Sequence, residues 1–539
     1  MKKTATILAA ILMASVQAGA QTAGDALLFS ENDYEGTART IAMGNAFTAL
    51  GGDLGSVTFN PAGTAVSKYS QFSFTPGITF STNTAQGIPY DGEDLTYFQR
   101  QMQSNTSSLH LPNIGMIINW DTYRTTGLKN ISLGFTVNRT NSWNEDVYAD
   151  GTNSKTSFMG AMAYGADGLI ADNLGMENAF NHQPWKETVG YQSGMIAPYA
   201  TDPNGGDMFM GASEARYANG DIAVPGQLTQ TYGRNVQGGK FEYLVNLAAN
   251  FSDFLYVGAS IGLTSMSYDY NEYFKEKAVD PSKFENAFSD AQGNEFTIFF
   301  KDMLFKYNYS ASGAGYFGKA GFILTPGAGF RIGAAIQTPS VMNIYEQWCY
   351  SGATSYTDGA YDAESTSPWG EFEYTLVSPY RANFGLAYTI GNFAVISADY
   401  EFADYGQMKF QTTGNVRDYF EELNSTIKSE YGMSHLLRAG VEVKPLSMLA
   451  IRAGYNFTTS PEKNLPVTYR QNASFGLGYT SNGSFFADIA CRYDFVTSEQ
   501  FMPYADYIFD ENDNIAIPAP EILNRHSLWK VYLTLGWRF

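Results

Sequence analysis

Residues 528–539 read LWKVYLTLGWRF, and this stretch decides the fold. Its odd-numbered positions are large and apolar: Trp529, Val531, Leu533, Leu535, Trp537 and Phe539. The positions between them are small or more polar: Lys530, Tyr532, Thr534, Gly536 and Arg538. Because successive side chains of a strand point to opposite faces, the stretch predicts a membrane β-strand with one lipid face and one polar face. We interpret Trp537 and Phe539, at its tip, as the membrane-insertion signal.

The first 20 residues predict a cleaved signal peptide. Lys2 and Lys3 precede a mostly apolar run over residues 5–14, and Ala18-Gly19-Ala20 supplies the small residues of a cleavage site. We expect the mature chain to begin near Gln21. No later stretch approaches the roughly 18 consecutive apolar residues of a spanning helix. A membrane protein with this sequence must therefore be a barrel, and the predicted location is the outer membrane of a Gram-negative bacterium.

The composition is that of strands and turns, with Gly 53, Tyr 37, Phe 38 and 16% charged residues. A net charge of −20 argues against a nucleic-acid partner, because phosphate binding needs clustered Lys and Arg. Cys349 and Cys491 lie on strands predicted far apart, so they indicate no disulfide framework. The four histidines show no ligand spacing. We expect no cofactor and no metal.

Segments with a two-residue period alternate with long and short connectors, as in an antiparallel transmembrane β-barrel of about 14 strands. Turn residues in the short connectors, such as Thr325-Pro326-Gly327, favour tight reversals that face the periplasm. The predicted strands are residues 69–80, 112–121, 129–142, 240–251, 255–270, 311–325, 328–350, 371–390, 392–405, 434–444, 448–459, 471–480, 484–496 and 526–539.

The faces of these strands agree with one another. Leu449 and Ile451 face lipid and Arg452 faces inward, because a charge at the bilayer midplane costs roughly 2 to 4 kcal/mol. The lumen is therefore predicted to be polar and charged. Five of its arginines are candidate partners for a ligand carboxylate: Arg331, Arg381, Arg438, Arg452 and Arg492. The alternative for each is an ion pair that only braces the barrel.

A compact segment, residues 21–68, precedes the first strand. Residues 37–50 are small and apolar at helical spacing, which predicts one or two short helices. The sequence Asn60-Pro61-Ala62-Gly63 favours a turn. The nearest place that buries such a segment is the lumen, so we predict a plug, or hatch. Its candidate gating residues are Gly44, Asp53, Asn60, Pro61, Ala62 and Gly63.

This hatch pattern resembles that of the FadL/TodX transporters of long-chain fatty acids and other hydrophobic compounds. The residues that carry the resemblance are Arg39, Gly44, Ala46, Ala49, Asp53, Ser56 and Asn60-Pro61-Ala62-Gly63, followed by about 14 strands. The resemblance implies passive inward transport without ATP. It also implies ligand capture by extracellular loops, transfer to an inner site and sideways release through the wall after hatch movement. Only Asn60, Pro61 and Ala62 carry over by motif, and the larger loops of this chain depart from the family pattern.

The barrel unit, residues 69–539, has predicted extracellular loops at 143–239, 271–310, 351–370, 406–433 and 497–525. The first contains two apolar stretches that predict short helices. Methionine-rich surfaces adapt to varied apolar ligands, so these stretches are a candidate ligand groove. Its candidate residues are Phe158, Met159, Met162, Leu169 and Leu174, with self-packing of the loop as the alternative. Residues 415–431 predict an amphipathic helix with Phe420 and Ile427 on its apolar side.

Other functions fit the sequence less well. The match Gly258-Ala259-Ser260-Ile261-Gly262 lies within a predicted strand and lacks the strand-to-helix turn of a hydrolase, so we expect no enzyme activity. A barrel acting as a surface receptor, for example for haem, or as a secretion-system partner remains the alternative, and the hatch disfavours a general porin. Expected partners are a hydrophobic small-molecule ligand, outer-membrane lipid, lipopolysaccharide and the barrel-assembly machinery. The barrel satisfies its own backbone, which predicts a monomer.

Overall fold

The computed structural model describes residues 21–89, 97–202, 205–289, 295–411, 417–463, 469–481 and 484–539. Its strands form one closed antiparallel β-barrel, in which the first strand pairs with the last, as in Phe72 opposite Trp537. Fourteen long strands make up the wall in the described part of the chain, which confirms the predicted architecture. The predicted signal peptide, residues 1–20, lies outside the described residues.

The barrel strands follow one another around the wall in chain order. They are β1 (Gln71–Gly87), β2 (Met102–Asp121), β3 (Leu128–Asn153), β4 (Leu228–Phe251), β5 (Leu255–Ala278), β6 (Glu295–Gly327), β7 (Phe330–Gln337 and Val341–Tyr356), β8 (Gly370–Val377 and Arg381–Ile390), β9 (Ala394–Asp404), β10 (Met433–Leu446), β11 (Leu449–Thr459), β12 (Tyr469–Thr480), β13 (Phe485–Phe501) and β14 (Ile522–Arg538).

All 14 predicted strands are present, but several are longer than predicted. Ladder pairing of β3 with β4 continues to Asn153 opposite Leu228, so residues 143–153 and 228–239 of the predicted loop 143–239 are strand. The predicted loops 271–310, 351–370 and 497–525 lose residues to strands in the same way. Above the membrane both faces of a strand meet polar surroundings or other protein, so the lipid-facing alternation that predicted the strands is lost there.

The two faces of the wall are as predicted. Ile451 is 45% exposed on the outer face, whereas the neighbouring Arg452 is 5% exposed and faces the lumen. The aromatic residues Trp537 and Phe72 stack across the junction of β14 and β1. The apolar residues of the outer face therefore form the lipid belt, and the charged residues line the interior.

The hatch fills the lumen. It contains helix α1 (Ala23–Ser30), helix α2 (Ala38–Ala42) and two 3₁₀ helices, Leu54–Thr58 and Pro61–Val66. The predicted helical stretch 37–50 is helical only over α2, because Gly44 (φ +60°) and Gly51 (φ +61°) turn the chain through the left-handed region. Helix α1 was not predicted. It has a capping box between Thr22 and Asp25 and lies at the extracellular end of the lumen.

A cap covers the extracellular end of the barrel. It contains helices α3 (Phe158–Ala166), α4 (Ala171–Leu174) and α5 (Trp185–Gln192), and helix α6 (Arg417–Glu430) packs beside α1. Phe420 and Ile427 of α6 are buried, which confirms the predicted apolar side of this helix. In the described ranges, no helix combines the length and the apolar character needed to cross a membrane.

Candidate functional site

The hatch is seated on small residues of the wall. Inward-facing positions at mid-height on four neighbouring strands are Gly440, Gly454, Gly476 and Ala490, which we call the small-residue belt. A Cβ atom on Gly454 would lie 2.0 Å from the backbone nitrogen of Gly44, and one on Gly476 would lie 2.5 Å from the Cβ of Ala42. Any larger side chain at these positions would displace the hatch, so the belt is shaped to receive α2 and the turn that follows it.

A second seat holds the Asn60-Pro61 turn. The Asn60 amide nitrogen donates to the backbone oxygens of Thr48 (2.7 Å) and Phe322 (2.9 Å), and its oxygen accepts from the nitrogen of Ala62 (3.0 Å). A Cβ atom on Gly258 would lie 2.5 Å from the carbonyl carbon of Pro61. Gly258, the first glycine of the Gly258-Ala259-Ser260-Ile261-Gly262 match, therefore leaves room for the hatch against strand β5.

The other predicted gating residues stabilise the hatch from within. The Asp53 carboxylate caps Leu54–Thr58 through the nitrogen of Gly55 (2.9 Å) and accepts from the Thr37 hydroxyl (2.6 Å). Gly63 packs against Ser56 and Gly51 without room for a side chain. The structure thus brings all six candidates together in the hatch and its seats. Their role in gating stays a prediction.

The five predicted luminal arginines all bind groups of the protein itself. Arg381 and Arg438 share Glu401, which also accepts from the Tyr34 hydroxyl of the hatch (3.1 Å). Arg452 pairs with Glu442 (2.6 Å) and Asp488 (2.5 Å), and Arg331 donates to the oxygen of Leu50 (2.6 Å). Arg492 pairs with Asp33 and Asp494. The contacts with Tyr34, Leu50 and Asp33 hold the hatch in the lumen, whereas Arg452 pairs within the wall. A role toward a ligand stays a prediction.

The predicted loop groove is the core of the cap. Phe158, Met159, Met162 and Leu174 are all buried, and Leu169 packs against the same cluster. The ring of Phe158 stacks on Phe274 of β5 at 5.0 Å between centroids. These residues meet a ligand only after the cap has moved, so their binding role also stays a prediction.

A chamber of about 430 Å³ lies between the hatch and the barrel wall. Apolar side chains of α1, β3, β4 and β5 line part of it, including Leu28, Trp143, Val236 and Tyr268. Charged groups line the rest, including Glu31, Asp33, Arg234, Arg470, Arg492 and Lys530. Its size and mixed lining suit one small amphipathic molecule.

Sequence reasoning missed most of the cations of this chamber. Arg234 pairs with Glu145 (2.9 Å) and Glu499 (2.5 Å), and Arg470 pairs with Glu31 of the hatch (2.7 Å). Arg470 is 52% exposed toward the chamber, which leaves it accessible. Lys530 could have been found from the sequence, because it occupies an inward-facing position in the alternating pattern of strand β14. Arg234 lies in a part of β4 that was predicted to be loop.

The wall is incomplete between β2 and β3 directly beside the chamber. Their ladder ends at Asn113 opposite Asn138, and above it no backbone pairing joins residues 102–112 to residues 139–153, all of which the structure describes. Strand β3 bulges between Arg139 and Asn141 at this point. We call residues 109–112 and 139–142 the wall window. Residues 141–145 of β3 line the chamber just above it.

Residues 33–35 of the hatch, called the strap, close the window from inside. The backbone nitrogens of Asp33 and Glu35 donate to the oxygens of Thr140 (2.7 Å) and Arg139 (3.0 Å) on β3. On the other side of the window, Glu35 lies 3.4 Å from His110 of β2. The strap therefore bridges the two strands that do not pair with each other.

The strap is also held by charge. Lys530 lies 2.8 Å from Asp33 and 3.1 Å from Glu35, and the Tyr532 hydroxyl donates to Glu35 (3.2 Å). Burial raises the pKa of Glu35, but Lys530 and the hydrogen bond from His110 outweigh it and hold the pKa at about 2. Glu35 therefore stays ionised and paired at neutral pH.

No group of three or more His, Cys, Asp or Glu side chains in the described ranges has the arrangement of a metal site. The structure thus offers a chamber, a plug and a window, but no arrangement of metal-ligating residues within the part of the chain it describes.

Comparison with known proteins finds similar solved structures. No protein-family model and no curated protein matches the sequence. The toluene transporter TodX of P. putida is 12% identical with a TM-score of 0.49, covering 94% of this chain and 99% of its own. A Pseudomonas aeruginosa FadL homologue is 11% identical with a TM-score of 0.49, covering 94% and 98%. The Ralstonia pickettii toluene transporter TbuX is 12% identical with a TM-score of 0.45, covering 95% and 100%.

Proposed function

We propose that this protein is a passive outer-membrane channel for long-chain fatty acids or similar hydrophobic small molecules. The observation that carries the proposal is the wall window, which lies beside a half-apolar chamber and is closed by the strap, residues 33–35 of the hatch. Only strands β2 and β3 of the wall lie between a hydrophobic solute in the chamber and the membrane interior on this side. An exit to lipid suits such a solute better than an exit to water.

Capture takes place at the extracellular cap. The cap core around Phe158, Met159 and Met162 is rich in methionine and aromatic side chains, which repack around apolar ligands at low cost. The ligand then passes into the chamber beneath. Burial supplies the binding energy, because about 15 methylenes at about 0.8 kcal/mol each offer at most on the order of 12 kcal/mol before the costs of binding.

Arg470 orients a carboxylate at one end of the ligand. Of the five arginines predicted from the sequence to bind this carboxylate, Arg492 is the one that lines the chamber. Arg470 now pairs with Glu31, which directly follows α1. A ligand carboxylate that takes the place of Glu31 removes one contact that holds α1 and the strap. Ligand binding and hatch movement are thereby coupled through a single exchange of partners.

Release follows when the strap leaves the window. The strap contributes two backbone hydrogen bonds to β3 and the ion pairs with Lys530. With the strap displaced, residues 109–112 and 139–142 border an opening from the chamber to the lipid. Leu109, 81% exposed on the outer face, marks the lipid side of that opening.

The first experiment measures binding and transfer of a labelled long-chain fatty acid by the purified protein in liposomes. We expect saturable binding in the wild type and about tenfold weaker binding in Arg470→Gln, because a hydrogen bond to a charged group contributes about 1.5 to 3 kcal/mol. Arg417→Gln is the matched control, since Arg417 pairs with Glu421 on the exposed face of α6, away from the chamber lining. Absence of binding by a folded barrel would instead favour the surface-receptor or secretion-partner function.

A second experiment tests the sideways exit. The Asn144 amide donates to the Ser108 hydroxyl (3.2 Å) just above the window, so Ser108→Cys with Asn144→Cys places a disulfide across it. Both native cysteines are free and are replaced by serine first. Oxidation should stop transfer and leave binding intact, and reduction should restore transfer.

The control for the disulfide is a cysteine pair at Ser267 and Ser312, which already face each other in the β5–β6 ladder. Oxidation of this pair should change nothing. Unchanged transfer through an oxidised 108–144 pair would contradict release through the window.

A further inference from the structure

Two polar cavities lie above and below the hatch on the same side of the barrel. The chamber described above is bordered by Arg492 and Lys530. A second cavity of about 290 Å³ opens among the short turns at the other end of β10–β14 and is bordered by Lys444, Asp488 and Arg538. Short turns of outer-membrane barrels face the periplasm, so the second cavity is the periplasmic vestibule.

A thin apolar layer lies between the chamber and the vestibule. It consists of Ala38, Ile41 and Ala42 of α2 with Ala490 and Tyr532 of the wall, all at most 1% exposed. Three of these five residues belong to the hatch. The barrier between the two polar spaces is therefore α2 itself, seated on the small-residue belt.

The wall around this barrier repeats one pattern on three of the four strands of the small-residue belt. A charged or amide side chain lies above the belt, a glycine or alanine lies in it, and a charged side chain lies below. The inward-facing triplets are Arg438-Gly440-Glu442 on β10, Asn456-Gly454-Arg452 on β11 and Arg492-Ala490-Asp488 on β13. With α2 displaced, the belt offers no side chains long enough to close the lumen on this side. The charged groups on either side keep the gap hydrated.

We propose that displacement of α2 opens an axial, water-filled path that conducts small inorganic anions, an activity separate from the transport of hydrophobic molecules. The path runs from the chamber through the small-residue belt to the vestibule. It does not use the wall window, and it does not depend on the identity of the hydrophobic cargo.

The selectivity follows from the ion pairs that the hatch makes with the wall. Above the belt the hatch supplies carboxylates: Glu31 pairs with Arg470 (2.7 Å), and Asp33 and Glu35 pair with Lys530 (2.8 and 3.1 Å). When the hatch moves, Arg470 loses Glu31, and Lys530 loses both hatch carboxylates and keeps only the more distant Asp494 of the wall (3.9 Å). Their positive charge then faces the water of the open path and attracts anions.

Below the belt the hatch supplies a cation instead, because Arg39 pairs with Glu442 (3.0 Å). When Arg39 leaves, Glu442 is still neutralised, because it remains paired with two cations of the wall, Arg452 (2.6 Å) and Lys444 (3.5 Å). The open path therefore gains positive charge above the belt without a matching gain of negative charge below it.

The test records currents from the full-length protein in planar bilayers with KCl. Gly44→Ala changes only the hatch: its Cβ would lie 2.8 Å from the oxygen of Ala439 at a left-handed φ, so it should unseat α2. We expect the path to be open for about ten times as much of the time as in the wild type. A non-glycine residue in the left-handed region costs roughly 1 to 2 kcal/mol, which changes the ratio of seated to displaced α2 by about that factor. Gly391→Ala is the matched control, with a left-handed φ but open space around the Cβ.

Selectivity is measured as the reversal potential in a KCl gradient. Gly44→Ala should favour chloride over potassium, and adding Lys530→Gln should lower the chloride-to-potassium permeability ratio by about threefold. Cation-selective or unselective currents would overturn the proposed selectivity. Currents no larger than those of Gly391→Ala would overturn α2 as the barrier.

Arg39→Gln is a second hatch variant that adds no backbone strain. It should also increase open time, and a heat-dependent shift of gel mobility verifies that each barrel is folded. Because chloride current and fatty-acid transfer are separate readouts, failure of this proposal leaves the transport proposal untouched, and the reverse also holds.

Discussion

Substitution of Asn60 tests how firmly the hatch is seated. Its side chain is fully buried and makes three hydrogen bonds of 3.0 Å or shorter, to the oxygens of Thr48 (2.7 Å) and Phe322 (2.9 Å) and from the nitrogen of Ala62 (3.0 Å). Asn60→Ala removes all three and leaves two buried carbonyl oxygens with fewer partners. At about 1 kcal/mol for each bond, the hatch loses about 3 kcal/mol, which is roughly a hundredfold in the population of the detached state.

The assay is hydrogen exchange of the purified protein, followed by mass spectrometry of peptides from the hatch and from the wall. We expect peptides that cover residues 48–66 to exchange up to about a hundredfold faster in Asn60→Ala, and the strands to be unchanged. In cells, the same variant should increase sensitivity to large antibiotics that the intact plug excludes.

Asn60→Asp separates the two functions of this side chain. It keeps the oxygen that caps Pro61–Val66 but replaces the nitrogen that donates to Thr48 and Phe322. It should therefore be at least as damaging as Asn60→Ala. Asn219→Ala, in an exposed turn of the cap, is the control. Wild-type exchange rates in both Asn60 variants would refute the seating argument.

Three further outcomes follow from the structure. Burial raises the pKa of Glu214 from 4.5 to about 7. Because the folded cap retains a proton that the unfolded chain releases, cap stability should fall by on the order of 3 kcal/mol as pH rises from about 4.5 to about 7. Glu214→Gln should abolish this dependence of cap hydrogen exchange on pH. Gly454→Ala should expel the turn at Gly44 and raise dye permeability of liposomes without unfolding the barrel. Glu442→Gln should destabilise the hatch by about 3 to 5 kcal/mol, seen as faster exchange of α2, because it leaves Arg39 and Arg452 without their shared carboxylate.

Each of these outcomes has a control and a result that contradicts it. Glu421→Gln on the exposed face of α6 should leave cap exchange as it is in the wild type, and a cap that becomes more stable with rising pH would contradict the assignment of Glu214. Gly318→Ala, whose Cβ would lie 3.9 Å from the nearest side-chain atom, that of Thr338, should leave permeability unchanged. Normal exchange of α2 in Glu442→Gln would show that the ion pairs do not hold it.

Much of the barrel was predictable because its rules are local. Alternation over two residues assigned the lipid face of β11 from Leu449, Ile451 and Arg452, and the accessibility of these side chains agrees. Turn residues located the short connectors for the same reason. Strand ends were predicted poorly, since β3 and β4 continue over residues 143–153 and 228–239 of the predicted loop, where no bilayer imposes alternation.

The site was only partly predictable. The residues of the Asn60-Pro61 turn were singled out, but their contacts with Thr48, Phe322 and Gly258 were not. The luminal arginines were identified as a group, but the contacts between the hatch and the wall join distant parts of the chain. Arg39 and Glu442, for example, are 403 positions apart. A pattern within one segment carries no information about such a partner.

The sequence by itself determined that the chain forms a closed barrel with a polar lumen and a compact segment to fill it, because hydrogen bonding in lipid and the placement of charge leave no other solution. Only the tertiary structure decided where the wall stays unpaired, which residues close it and where cavities remain. Those features depend on how the hatch fits against strands far away in the chain. Packing between distant segments, rather than local preference, sets them.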